Sequence, residues 1–254
     1  MTDTGERDRP TFLLVSGDRE FLLSPGEEKG TDLGVLELPE DADPGDVVET
    51  HLGEPFSVRE LRGPDLFDHM ERTGAPMMPR DIGLLMGHTG ASAGDRVLDA
   101  GTGTGVLAAY LGRAGASVTT YESNPDFADV ARGNMALAGV ADRVEVRTGD
   151  VTADLDDLSG GFDLLTLDTG DAPTVIERAP TLLRAGGFLA VYTPFVEGTR
   201  EAALAAREAG LAEVETYETI QRRMDFDDRG SRPGTAGVGH TGYLTFARMP
   251  ADGE

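Results

Sequence analysis

Arg96-Val97-Leu98-Asp99-Ala100-Gly101-Thr102-Gly103-Thr104-Gly105 is the stretch that decides the fold. Its first five residues read as a buried strand, and the alternating glycines after it turn the chain into a helix that opens at Val106. Glycine at such a turn lets backbone approach a ligand with no Cβ in the way, at the sheet edge where α/β proteins bind small molecules. A dinucleotide site would space its glycines as G-x-G-x-x-G/A and place the last small residue at position 106. Here position 106 is valine and the third glycine comes one residue early. The missing pyrophosphate signature favours a nucleoside ligand without phosphates.

Working outward, strand and helix patterns alternate. Strands are expected at Arg96–Ala100, Ser117–Glu122, Val144–Thr148, Phe162–Asp168, Gly187–Tyr192, Ala212–Thr219 and His240–Arg248, with helices such as Val106–Arg113, Pro125–Leu137 and Pro173–Leu183 among the first five. This alternation predicts a mainly parallel seven-stranded sheet with helices on both faces, a Rossmann-like α/β fold. The last two strands have no obvious helix between them and are expected to pair antiparallel. Glu122 ends the second strand, where a carboxylate can accept both ribose hydroxyls, a role that serves NAD and S-adenosylmethionine equally. Asp150 ends the third, where it can accept from an adenine amine while Val151 contacts the ring. The candidate nucleoside contacts are Asp99, Gly101, Thr102, Gly103, Thr104, Gly105, Val106, Glu122, Ser123, Asp150 and Val151, with Asp168 at the end of the fourth strand.

The first 70 residues differ in texture. TFLLV and EFLL flank Ser16-Gly17-Asp18-Arg19, and DVVETHL and FSVREL flank Gly53-Glu54-Pro55, which predicts two hairpins in a small β domain. Leu66 to Ala75 reads as a linker or short helix, and Pro79-Arg80-Asp81 opens a helix. The expected organisation is a β domain over 1–70 and a catalytic domain over 71–254.

Composition bounds the rest. The 254 residues include 46 acidic against 22 basic, for a net charge of -24, and the only lysine is Lys29. At molar salt the Debye length falls to roughly 3 Å and screens such self-repulsion. The composition resembles that of haloarchaeal proteins, and it implies a salt-rich cytoplasm in which acidity does not exclude a nucleic-acid partner. An isolated acidic protein of an ordinary cell would not account for the missing lysine. With no cysteine there is no thiol nucleophile, disulfide or thiolate metal site. His51, His69 and His88 carry no metal-ligand spacing, Asp225 to Asp228 reads as solvated surface, and no metal is expected. The polar start, MTDTGERDRP, is unlike a signal peptide, and no apolar run reaches the roughly 20 residues of a membrane span. A cytoplasmic location is expected.

DAGTGTG, YESNP, the Gly149-Asp150 pair and FDLLTLD resemble the successive motifs of class I S-adenosylmethionine-dependent methyltransferases. Thr73-Gly74-Ala75-Pro76-Met77-Met78-Pro79-Arg80-Asp81, and Arg232-Pro233 with His240-Thr241-Gly242-Tyr243-Leu244-Thr245-Phe246-Ala247-Arg248, are similar to segments of the tRNA (adenine-N1)-methyltransferase family of the TrmI type. A preceding β domain with Thr31-Asp32-Leu33-Gly34 fits as well. The resemblance covers nearly the whole chain. It implies S-adenosyl-L-methionine as cofactor and a homotetramer that methylates N1 of adenine 58 in the tRNA T-loop, with the adjacent adenine 57 a second target in archaeal relatives.

On this reading Asp168 is the catalytic residue. Its carboxylate would hold the adenine 6-amino group, raise electron density at N1 and stabilise the charge that develops on the ring. The family commonly follows this acid with an acidic or proline-rich stretch ending in an aromatic. This chain has Thr169-Gly170-Asp171-Ala172-Pro173 instead, and Met78 where many relatives carry an aromatic, which leaves room for a changed base or position preference. Five arginines (Arg222, Arg223, Arg229, Arg232, Arg248) against three aspartates make residues 220–248 locally +2, a candidate tRNA-facing edge. Arg232 would meet phosphate, and His240 or Tyr243 would stack on an extruded base. Two rival readings are a methyltransferase for a protein carboxylate or small molecule, and a non-catalytic tRNA-binding subunit. The first leaves both chain ends unexplained, and the second leaves an intact cofactor pocket without a purpose.

Overall fold

A computed structural model of the chain describes residues 10–237 and 239–251. It divides into two compact units, one running to Met70 and including Ala136–Gly139, the other comprising Glu71–Met135 and the chain from Val140 onward.

The first unit is antiparallel. Strands β1 (Phe12–Ser16), β2 (Arg19–Leu23), β5 (Val47–Glu49) and β6 (Pro55–Glu60) form a sheet in the order β2-β1-β6-β5, and β3 (Glu28–Thr31) pairs with β4 (Gly34–Glu37) as a separate hairpin. Both expected hairpins are present, and the β3–β4 hairpin is an addition to them. Gly17 takes φ +61° in the two-residue turn between β1 and β2, the twist such hairpins need. Leu14, Leu23, Leu36, Leu38, Phe56 and Val58 bury one small core. Helix α1 (Gly63–His69) follows β6.

The second unit opens with α2 (Pro79–Thr89), whose proline sits in the first turn where no N–H is required. Next come β7 (Arg96–Ala100), α3 (Val106–Arg113), β8 (Ser117–Glu122), α4 (Pro125–Leu137), β9 (Val144–Thr148), α5 (Val151–Asp154), β10 (Phe162–Leu167), α6 (Ala172–Leu182), β11 (Leu183–Thr193), α7 (Val196–Glu208) and β12 (Ala212–Glu218). An exposed hairpin, β13 (Met224–Asp227) with β14 (Gly230–Pro233), precedes the final strand β15 (Tyr243–Arg248). The sheet order is β12-β15-β11-β10-β7-β8-β9, and only β15 runs antiparallel to its neighbours. The seven strands and the closing antiparallel pair match the sequence reading. Two elements lay outside it, α7 and the β13–β14 hairpin. The final strand is shorter than expected and begins at Tyr243, because His240 and Thr241 are engaged by side-chain bonds elsewhere.

Strand order reverses at β7. The chain builds β8 and β9 to one side and then returns to lay β10 on the other, so the loops after β7 and β10 diverge and leave a crevice at the carboxyl edge. The register across this centre is fixed by a buried polar set. Asp99 stands opposite Thr120 on β8 and opposite Thr166 on β10. Thr120 Oγ1 donates to Asp99 Oδ2 and Thr166 Oγ1 to Asp99 Oδ1, both at 2.5 Å. A carboxyl buried among three strands is tolerated only when its oxygens are bonded. Thr166→Val, which keeps the shape and removes the donor, is expected to lower stability by about 1–3 kcal/mol. A urea unfolding midpoint equal to that of the parent would show that the register does not depend on this bond.

Candidate functional site

The glycine loop leaves β7 at the reversal point. Gly101 N and Thr102 N both donate to the Tyr121 carbonyl, and Asp168 N donates to the Ala100 carbonyl, so the ends of β7, β8 and β10 are tied together. Gly101 has φ +95°, and a Cβ there would fall on the Asp168 carbonyl. The close approach of the β7 and β10 loops therefore requires glycine at 101. Gly105, at φ +84°, caps α3, and Val106 is buried as its first residue.

Three cavities meet at Asp168. One, of about 370 Å³, runs along Gly101, Gly103, Glu122, Ser123, Asp150 and Val151. A narrow one, of about 70 Å³, lies between the glycine loop and Thr73–Met77 and reaches Asp99, Thr166 and Tyr192. The third, of about 420 Å³, lies beside α6 and α7. Thr102, Thr104, Gly105 and Val106 line the second cavity, so every residue expected near the nucleoside borders the first cavity or the second. No Lys or Arg is among the residues lining these two. Their charged lining residues are all acids, an environment that suits a cationic, phosphate-free ligand and opposes a pyrophosphate.

Glu122 is buried, with Oε2 accepting from Gly103 N at 2.9 Å and Oε1 from Asn124 N at 3.0 Å. Each oxygen keeps a lone pair, so two hydroxyls can still be bound. Asp150 caps α5 and accepts from Thr152 N at 2.8 Å, which holds its pKa below the usual range and keeps it ionised. Asp99 lines the narrow cavity, and each of its oxygens accepts from a threonine, with Thr102 Oγ1 2.5 Å from Thr120 Oγ1 behind it. Because the Thr120 hydrogen points to Asp99, Thr102 is the donor in that contact. Burial pushes the Asp99 carboxyl up. Burial also pushes Asp168 up to about 7, and the nearby Asp99 adds to the shift.

Two features were not singled out in the sequence. Asn134, buried on α4, donates to the Thr104 and Glu71 carbonyls and accepts from Glu71 N, fastening the glycine loop to the segment before α2. Thr241 donates to Asp81 at 2.7 Å and accepts from Arg80 at 3.1 Å, which joins the two end segments across 160 residues of chain. Tyr192 lies beside this group, and burial raises its pKa. A Cβ at Gly242 would strike the Tyr192 ring, so that glycine serves the packing.

Of the expected RNA-facing residues, His240 and Tyr243 lie together and Arg232 stands on the β13–β14 hairpin. Arg232 is exposed on β14 opposite Asp225, and Arg229 lies 3.7 Å from Asp227, so part of the local positive charge is met by the hairpin itself. His240 has Nδ1 at 2.7 Å from Glu218 and Nε2 at 3.0 Å from the Pro194 carbonyl, leaving its ring face rather than its nitrogens for a ligand. Tyr243 packs against that ring. The other histidines have structural surroundings: His51 accepts from Val35 N, His69 meets Glu20, and His88 stacks on Phe246.

The displaced pKa of Asp168 carries a stability consequence. A carboxyl whose folded pKa is raised destabilises the fold once ionised. Full stability is therefore present below the unfolded value of about 3.9 and is lost as pH rises through about 7. Asp168→Asn is expected to stabilise the chain at pH 8 and to change its stability little near pH 4. Melting curves at the two pH values measure this, and an equal difference at both would assign the effect to packing.

A family model described as tRNA methyltransferase complex GCD14 subunit matches residues 68–232. The chain is 32% identical, over 95% of its length and 95% of the relative's, to a tRNA (adenine(57)-N(1)/adenine(58)-N(1))-methyltransferase TrmI of Methanocaldococcus jannaschii. Among solved structures, a SAM-dependent O-methyltransferase of Thermotoga maritima superposes with a TM-score of 0.81 at 27% identity, covering 97% of this chain and 95% of that one. The tRNA (m1A58) methyltransferase TrmI of Aquifex aeolicus shares the fold with a TM-score of 0.71 at 21% identity, covering 95% and 97%. With most of its second unit matched by the family model and a relative similar along almost its whole length, the chain belongs to the tRNA methyltransferase complex GCD14 subunit family.

Proposed function

We propose that this chain transfers a methyl group from S-adenosyl-L-methionine to N1 of adenine in the tRNA T-loop, at position 58 and at the adjoining 57. The observation that carries this reading is the meeting of three cavities at Asp168, in a chain similar along 95% of its length to an enzyme named for those two adenines. The acid-lined pair of cavities fits the donor, which supplies an electrophilic methyl on a sulfonium. Glu122 takes the ribose hydroxyls, Asp150 and Val151 border the adenine ring, and the loop from Gly101 to Gly105 with Thr73–Met77 encloses the remainder.

The third cavity takes the base. Asp168 in its ionised form accepts a hydrogen bond from the 6-amino group, which orients the ring and pushes electron density toward N1. Placement of N1 in line with the methyl supplies much of the acceleration, because the reaction is a displacement whose barrier falls with orientation. As the ring gains positive charge, the same carboxylate stabilises it in a site whose burial strengthens the attraction. Tyr192, backed by Thr241 and Asp81, closes the side of the site toward β15 and limits water. Thr169 and Gly170, part of the segment that departs from the family's usual pattern, form the wall beside the base.

The O-methyltransferase of Thermotoga maritima superposes on 97% of this chain, so the fold does not choose between the readings; the 32% identity to the TrmI relative along 95% of the chain favours tRNA. A scaffold role leaves unexplained why Glu122, Asp150 and Asp168 all border a cavity at the sheet's reversal point. The decisive assay is transfer from labelled donor to unmodified tRNA transcript in molar KCl, with reverse-transcriptase stops locating the product. Asp168→Ala is expected to lower transfer at least a hundredfold with donor affinity nearly intact, and Glu122→Ala mainly to weaken donor binding. Equal loss of both properties in Asp168→Ala would move that residue into the donor site. Donor binding without methylation of any transcript would remove tRNA as the substrate.

We read the assembly as a homotetramer working in a salt-rich cytoplasm. The low lysine content and net charge of -24 support the medium, and the exposed Met224 and Phe226 on β13 support an interface. Among the described residues no helix is long and apolar enough to cross a membrane. Light scattering in molar KCl should give four chains per particle, and a mass of one chain would overturn the assembly reading.

A further inference from the structure

The third cavity has an outer half that the methylated adenine does not need. Asp168 and Tyr192 form the inner end, shared with the narrow donor cavity, while Pro173, Pro194, Phe195, Glu197 and Glu201 line the remainder. Phe195 is the unusual member. It occupies the N-cap of α7, where Ser, Thr, Asp or Asn would supply a hydrogen bond, and its side chain gives none. It is also 71% exposed, a large aromatic held in water at the rim of a cavity. Such a choice gives up a cap and leaves apolar surface uncovered, so neither the helix nor the core accounts for it.

The rim is nevertheless rigid. Thr199 Oγ1 donates to the Phe195 carbonyl at 3.0 Å and lies 2.5 Å from Thr193 Oγ1, and His240 Nε2 sits 3.0 Å from the Pro194 carbonyl. Residues 193–195 are thus fixed from α7 and from the segment before β15. A platform held in place before binding loses little freedom when a ring lies on it. The carboxylates of Glu197 and Glu201 can accept hydrogen bonds and would repel phosphate, so they suit the amino edge of a base rather than the backbone.

We propose that Phe195 and the outer half of this cavity bind the nucleobase directly adjoining the adenine under methylation, by stacking on the ring and by hydrogen bonds from an exocyclic amine to Glu201. The inference rests on the tRNA reading above and names a second base subsite within it. The ligand is an adenine joined to the target by one phosphodiester, because only a chain-linked neighbour enters a cavity whose inner end is already filled. The similar enzyme of Methanocaldococcus jannaschii is named for two consecutive adenines.

The test uses the full chain and two synthetic tRNAs that differ only at the adjoining position, one with adenine and one with purine, which lacks the 6-amino group. The parent should favour the adenine tRNA about tenfold in kcat/KM. Phe195→Ala should raise KM for both tRNAs about tenfold, with kcat and donor affinity unchanged, and Phe195→Tyr should restore KM. Glu201→Gln should reduce the preference for adenine to within about twofold. An unchanged KM in Phe195→Ala, or a lower kcat at unchanged KM, would overturn the subsite. A parent enzyme that binds donor yet methylates neither tRNA would overturn the tRNA reading itself and the subsite with it.

Discussion

The buried carboxyl of Asp99 is the constraint around which the second unit is arranged. It reaches one hydroxyl on each neighbouring strand, at the register positions directly opposite. A slip of one residue on either side would turn the partner hydroxyl to the other face and leave an ionisable group unpaired in the core. The glycine loop begins two residues later, so the clamp also sets where that loop leaves the sheet. Its charge acts once more across the crevice, where it helps hold Asp168 in the range in which a carboxyl changes state near neutrality. Register, loop exit and the electrostatics of Asp168 thus share one origin.

Donor and acceptor regions inherit their separation from the strand order. The cavity along Glu122 and Asp150 is walled mainly by the loops after β7, β8 and β9, while the cavity proposed for the base is enclosed by the loop after β10 and by α6 and α7. Asp168 stands at the boundary because β10 is the first strand laid on the far side of β7. Segments distant in sequence close the site. The stretch before α2 is fastened by Asn134, and the stretch before β15 is fastened by Arg80 and Asp81.

The parts legible in the sequence are those where burial dictates pattern. β7 and β10 are covered on both faces and read as apolar runs, and the glycines after β7 announce a loop that no Cβ could share with the Asp168 carbonyl. α7 escaped because its buried residues are small, Thr199, Ala202 and Ala206, set among charged ones, so it carries little apolar periodicity. The β13–β14 hairpin is exposed throughout, and with no core to serve its acids read as surface loop. Asn134 and the Arg80–Asp81–Thr241 group could not be read at all, because their meaning lies in partners 30 to 161 positions away. The threonines that bond the Asp99 oxygens become visible only once the strands are paired.

The strand reversal has a consequence for how such a chain can diversify. The cavity along Glu122 and Asp150 lies to one side of β7, the cavity beside α6 and α7 to the other, and both reach Asp168. Substitutions in α6, α7 and the loops beside them can therefore change what is methylated while the machinery of the methyl source stays untouched. On the proposed reading, acceptor choice can be rebuilt from α6 and α7 while the cavity along Glu122 and Asp150 is kept.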